Sequence, residues 1–181
     1  LWDLGRPHQL VFDETYYVKQ GWSQMLYGFP KKPPEGMEHP DAFFTMGTFD
    51  VYGNQADFVV HPPGGKWLIG LGEKIFGIDN SFGWRIAAVV FGALLVVATI
   101  RLAHRLSRSL MVGAMAGIML TFDGLAFTMS RIALLDIFQA TFLVAGVAAL
   151  VADRDHHRHR LADAMEARGL TSLGGSFGPL L

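Results

Sequence analysis

Asp13 and Glu14 stand side by side in Val11-Phe12-Asp13-Glu14-Thr15-Tyr16-Tyr17, ahead of three long apolar stretches. An adjacent acid pair has two readings. It can cap a helix or sit in a solvated loop. It can also do general-base work, with one carboxylate taking a proton while its neighbour positions a partner. Phe12, Tyr16 and Tyr17 flank the pair and would partly desolvate it. Further on comes His61-Pro62-Pro63-Gly64-Gly65-Lys66-Trp67. The prolines fix φ and hold the residues before them extended, and the two glycines permit a sharp entry into a following helix. This turn is either a rigid connector or a device that aims His61 or Lys66 at an anionic phosphate beside a helix N-terminus.

A third group is Asp123, Arg131 and Asp136, within or at the edges of apolar sequence. Ionisable groups at membrane depth are costly, which makes them candidates for function. An Asp–Arg pair locking two helices would account for them. So would Arg131 holding a lipid phosphate in its guanidinium fork. The run Asp153-Arg154-Asp155-His156-His157-Arg158-His159-Arg160 has histidines, but its interspersed arginines read as a solvated anchor. No metal site is expected, since no cluster of oxygen ligands stands out beyond the acidic pair.

The elements that must position these groups are mostly membrane helices. Of 181 residues, 51% are hydrophobic and 17% charged, with a mean hydropathy of +0.30. Soluble domains carry roughly 25% charged residues. The expected class is therefore an all-α integral membrane protein. Spans are expected at 82–100, 110–129 and 132–152, each near the ~20 residues that cross a bilayer. Gly92, Gly113, Gly117 and Gly146 suit close helix packing. The net charge of −1 lacks the basic excess of a nucleic-acid binder. The absence of cysteine excludes disulfides and Cys-ligated zinc.

Orientation follows from the arginines. Arg101, Arg105 and Arg108 follow the first span, and Arg154, Arg158, Arg160 and Arg168 follow the third. Both groups are expected on the cytoplasmic side. The domain plan is then 1–81 extracytoplasmic, 82–152 membrane-spanning and 153–181 a cytoplasmic loop. Within 1–81, residues 12–27 read as a helix near the interface and 31–57 as an extended loop. Residues 66–76 read as an amphipathic helix with Lys66, Glu73 and Lys74 on its surface. The start at Leu1 and the Gly/Pro-rich end at 174–179 suggest a piece of a larger membrane protein.

These motifs, in their order and spacing, resemble the protein O-mannosyltransferase family in its actinobacterial branch. The carriers are Phe12-Asp13-Glu14 with Tyr16-Tyr17, His61-Pro62-Pro63 with Gly65-Lys66, Phe76-Gly77, Phe82-Gly83-Trp84-Arg85, Thr121-Phe122-Asp123-Gly124 and Ser130-Arg131-Ile132-Ala133-Leu134-Leu135-Asp136. The resemblance covers nearly the whole chain. It implies a GT-C-type multi-span helical glycosyltransferase, with the catalytic site in the first extracytoplasmic loop. The chain would hold that loop, its interfacial helices and about three transmembrane helices. The implied reaction moves mannose from polyprenyl-phosphate mannose to Ser or Thr hydroxyls of exported polypeptides at the bilayer, with no cofactor beyond the lipid-linked donor. Asp13 would be the base, with Glu14 in the same acidic motif. Arg131 would be the functionally important arginine, Lys66 and His61 would lie near the donor phosphate, and Asp123 and Asp136 would support the site. A lipid phosphate leaves readily, so direct displacement with inversion needs no general acid.

Two departures stand out. Gly64 occupies a place where the family usually has Leu or Val, and the segment 31–57 is longer than typical. The alternatives are a lipid-linked transferase with another sugar or acceptor, and a transporter with an ion path along Asp123, Arg131 and Asp136. A transporter would carry an inverted repeat, and the sequence has no internal repeat.

Overall fold

The computed structural model describes residues 3–48, 51–58 and 60–167. Among these the chain is helical, with an isolated antiparallel bridge between Lys31 and Ala56. The helices are α1 (Glu14–Tyr27), α2 (Pro40–Thr45), α3 (Pro63–Phe76), α4 (Ser81–Ser107), α5 (Leu110–Phe122), α6 (Gly124–Met129) and α7 (Asp136–Ala167).

Two of them, α4 and α7, are long and apolar enough to cross a membrane. Helix α4 begins where the Asn80 side chain accepts the Phe82 N–H at 3.1 Å. It does not stop at residue 100. Nothing in Arg101-Leu102-Ala103-His104-Arg105 breaks a helix, so it continues to Ser107, and the expected arginine-rich connection shrinks to Arg108 and Ser109. Arg108 adopts a left-handed φ of 54°, and Ser109 caps α5 by accepting the Val112 N–H. Helix α7 likewise carries the Asp/Arg/His run within a continuous helix to Ala167. Residues 153–167 of the expected cytoplasmic segment are helical, and the rest of that segment lies outside the described residues.

The second apolar stretch is not one continuous helix. Asp123 takes an extended backbone, φ −67° and ψ 121°, which ends α5 after 13 residues. Its carboxylate then caps α6 by accepting the Ala126 N–H at 2.7 Å. A 13-residue helix reaches only about 20 Å, short of a ~30 Å hydrocarbon layer. Two of the three expected spans are thus helices of spanning length, and the remaining stretch is broken into α5 and α6.

Helix α4 is the hub, packed against α3, α5 and α7. Close approach depends on paired glycines. A methyl group on Gly70 would lie 2.6 Å from the Gly21 carbonyl oxygen, so α1 and α3 touch backbone to backbone. Gly72 meets the Gly83 carbonyl in the same way, joining α3 to α4. Helix α7 docks on α4 through Phe91 and Phe138, with ring centroids 4.9 Å apart, and the Thr141 hydroxyl donates to the Phe91 carbonyl at 3.0 Å. Between these contacts Trp84, Ile69, Val18, Ala133 and Leu134 are buried.

Two expectations for the first 81 residues change. The described residues of 31–57 are not an extended loop but pack onto the core. Phe44 is fully buried against Trp84, and the Tyr52 hydroxyl donates to the Lys19 carbonyl at 2.7 Å. In α3, Lys66 and Glu73 are not on the surface: both are fully buried. The apolar stripe of α3 does not face the core: Trp67, Leu71 and Ile75 are exposed. Helices α1 and α4 pack on the opposite face, at Ile69, Gly70 and Gly72, and Leu135 and Phe138 close over its first turn at Gly65, so Lys66 and Glu73 lie inside.

Candidate active site

The acidic pair divides. Glu14 points inward and is fully buried. Its Oε1 accepts Arg85 Nε–H and the Ala133 N–H, both at 2.8 Å. Its Oε2 accepts Arg85 Nη2–H at 2.8 Å and the Val11 N–H at 2.9 Å. The fork-on-fork pairing is the strong geometry for arginine and carboxylate. Arg85 donates further to the carbonyls of Leu4, Pro7 and Gln9 at 3.0–3.1 Å. All five of its N–H donors are thereby used. One buried pair thus ties the segment before α1, the first turn of α4 and the turn before α7.

Asp13 faces the other way. Its backbone carbonyl starts α1, accepting from Tyr16 and Tyr17, while its carboxylate makes no cap. Instead the Tyr17 hydroxyl donates to Asp13 Oδ2 at 3.3 Å. Burial, then the Asp13 charge beside it, push the Tyr17 phenol up to about 12, so it remains a donor at neutral pH. Asp13 lines a cavity of about 300 Å³ with Tyr16, Tyr17, Gln20, Asp57 and His61. The His61 ring stands edge-on to Tyr17, with centroids 5.6 Å apart. Asp57 is fixed by the Gln20 amide at 2.6 Å and the Phe58 N–H at 2.8 Å.

Lys66 lies behind this wall, its Nζ 5.9 Å from the centre of the Tyr17 ring and without a hydrogen bond among the described residues. Burial lowers its pKa, opposed by the charge of Asp57. Glu73, two turns along α3, has neither oxygen hydrogen-bonded, and burial pushes its carboxyl well above the ordinary range.

Arg131 is elsewhere. Its guanidinium lies 5.3 Å over the Phe127 ring and lines a cavity of about 210 Å³ with Arg6, Arg85 and Pro7. The structure therefore brings Asp13 and His61 to one cavity, with Lys66 behind it, and sets Arg131 at another. Glu14 lies between: Asp13 precedes it, and it accepts the N–H of Ala133, two residues after Arg131. Asp123 is the α6 cap described above. Asp136 opens α7 in an exposed position, and its charge contributes to raising the Tyr17 phenol.

Arg85 and Asp57 escaped the sequence reading as site residues. Arg85 carried a usable signal, since an arginine at the head of an apolar span deserves the same suspicion as Asp123. Asp57 carried none beyond its place four residues before His61.

The family model for dolichyl-phosphate-mannose-protein mannosyltransferase matches residues 1–164. A polyprenol-phosphate-mannose–protein mannosyltransferase of Mycobacterium tuberculosis is 40% identical over 168 residues, covering 92% of this chain and 27% of the relative. The protein of the same name from Mycolicibacterium smegmatis is 40% identical over 178 residues, covering 95% and 30%. That of Corynebacterium glutamicum is 37% identical over 169 residues, covering 93% and 29%. The chain spans less than a third of the length of these relatives. No solved structure matches it significantly.

Proposed function

Since this chain belongs to the dolichyl-phosphate-mannose-protein mannosyltransferase family, we propose that it is part of a membrane glycosyltransferase that moves mannose from polyprenyl-phosphate mannose to Ser or Thr hydroxyls of exported proteins. Helices α4 and α7 cross the membrane, and residues 1–81 lie on its outer side. The observation that carries the reading is the Asp13 carboxylate, turned into a cavity with Tyr17 and His61 while its neighbour Glu14 is held buried by Arg85.

In this reaction Asp13 accepts the proton of the attacking hydroxyl. The hydroxyl oxygen bonds to the anomeric carbon, the bond from that carbon to the phosphate oxygen breaks, and polyprenyl phosphate departs. Configuration at the anomeric carbon inverts. Arg131 and Arg6 share a cavity, and two guanidinium groups suit the departing phosphate. His61 adds a donor on the Asp13 side, while Lys66 stands behind the Tyr17 wall. Preorganised guanidinium groups are each worth about 3–4 kcal/mol when they face developing charge. Glu14 is a positioning residue, with both oxygens committed to Arg85 and backbone N–H groups. Asp136 supports the Tyr17 wall of the cavity, and Asp123 supports the turn that carries Arg131.

The test uses membranes bearing the full-length protein, radiolabelled polyprenyl-phosphate mannose and a Ser/Thr acceptor peptide. Label is expected in that peptide and not in its Ala-substituted counterpart. Transfer only from donors with a different sugar, or none to any hydroxyl, would overturn the assignment.

A further inference from the structure

A further opening lies at the other end of α4 from the Asp13 cavity. It is a cavity of about 600 Å³ between the ends of α4 and α7, lined by Arg101, His104, Arg105 and Arg108 from one side and by Ala148 and Ala152 from the other. Its shape follows from the sequence. The two helices are tightly joined higher up, at Phe91, Phe138 and Thr141. Lower down α7 offers only methyl side chains, one helical turn apart, where α4 offers long basic ones. At the far end of the gap Arg105 Nε meets Asp155 Oδ2 at 3.9 Å and ties the two helices. On its other flank α4 is covered by α5, with Gly113 against His104 and Gly117 against Ile100. The short turn at Arg108 and Ser109 keeps α5 on that flank, so the α7 side stays open.

Depth identifies the ligand class. From Ser81 to Arg101 the helix rises about 30 Å, the thickness of the hydrocarbon layer. With Ser81 at one boundary, Arg101, Arg105 and Arg108 stand at headgroup level at the other. The α4 and α7 surfaces leading away from the cavity are apolar and exposed, as at Leu94, Val97, Leu143 and Val147. A ligand for this place needs an anionic head for the arginines and hydrocarbon for the grooves.

We infer that this cavity is a binding site for the phosphodiester headgroup of an anionic phospholipid. The inference rests on α4 and α7 crossing the membrane and is independent of the reaction assigned to Asp13. Basic side chains at the membrane surface each favour anionic lipid, and paired guanidinium groups suit a phosphate better than any neutral head. Asp155 meets Arg105 at one edge, and Arg101, His104 and Arg108 also line the cavity.

The experiment is native mass spectrometry of the full-length protein taken from neutral phosphatidylcholine bilayers doped with phosphatidylglycerol. The wild type is expected to retain phosphatidylglycerol in preference to phosphatidylcholine. The Arg101→Gln/Arg105→Gln variant should lose roughly fivefold of that preference per arginine. Ala148→Phe, which fills the space and keeps every charge, should lose it as well, and this covers the case in which the double variant fails to fold. The site would be overturned if both variants kept the wild-type preference. Displacement of the lipid by millimolar inorganic phosphate would overturn the lipid assignment and point to a free anion.

Discussion

Glu14 and Arg85, 71 residues apart in sequence, form a bidentate ion pair that is closed to solvent and has its hydrogen-bonding groups committed. Its arrangement explains how two adjacent carboxylates come to have different environments. Successive residues on a helix project about 100° apart, so a helix that buries Glu14 turns Asp13 outward. The buried pair fixes that rotation, and with it the direction in which Asp13 faces.

Breaking the pair from one side strands a charge in the interior. Glu14→Ala or Arg85→Ala is expected to cost about 3–5 kcal/mol of stability. Unfolding of the full-length protein in detergent, followed by denaturant titration, measures it. The double variant should cost clearly less than the sum of the two singles, since neither charge is then left alone. Strict additivity would mean that the two side chains do not depend on each other.

Asp13→Asn keeps size and polarity but removes the proton acceptor. Turnover in the mannose transfer assay should fall at least ~100-fold, with the unfolding midpoint unchanged. Wild-type turnover at equal expression would sink the role of Asp13 as base.

Glu73 makes stability depend on pH in a definite direction. Its folded-state pKa is raised above the ordinary 4.5, so the folded protein binds the proton more tightly than the unfolded chain does. The contribution is fully present below about 4.5 and is lost as pH rises through the folded value. Glu73→Leu removes both the charge and the unmet hydrogen bonds. Thermal melts of the two proteins should therefore diverge from mildly acidic pH upward, the variant being the more stable. Parallel curves from pH 4 to 9 would contradict this account.

Lys66 runs the other way. Its folded-state pKa is lowered, so the unfolded chain binds the proton more tightly. Stability should rise with pH between the folded value and the ordinary 10.5. Lys66→Met is expected to flatten that rise in the same melts, and a variant that retains it would exclude Lys66 as the source.

Gly70→Ala tests the backbone contact between α1 and α3. The added methyl group meets a carbonyl oxygen rather than a flexible side chain. A loss of about 1–3 kcal/mol is expected, read from the same denaturant titration, whereas Gly146→Ala, with nothing near the new methyl, should be neutral or slightly stabilising.

The long apolar helices α4 and α7 were the most legible part of the sequence, because a run of apolar residues of that length has few other uses. The break at Asp123 was not, since the hydropathy of 110–129 continues across it. What decides it is local: an aspartate before glycine can cap a new helix more easily than it can remain inside an old one. The interior placement of Lys66 and Glu73 was invisible for a different reason. A hydrophobic stripe points to a packed face, but in α3 Trp67, Leu71 and Ile75 stay exposed and the face with Lys66 and Glu73 packs on α1 and α4. The acidic pair could be found by type and setting, but which carboxylate turned inward depended on Arg85, at the head of a helix that begins 67 residues after Glu14.

Arg85 also limits how this part of the sequence can vary. Lysine brings three donors where five acceptors wait, and no other residue brings a positive charge of that reach and shape. A change at Arg85 alone abandons Glu14, and a change at Glu14 alone abandons Arg85. No route of single tolerated substitutions leads away from the pair, so the two positions can be exchanged for another solution only in one step.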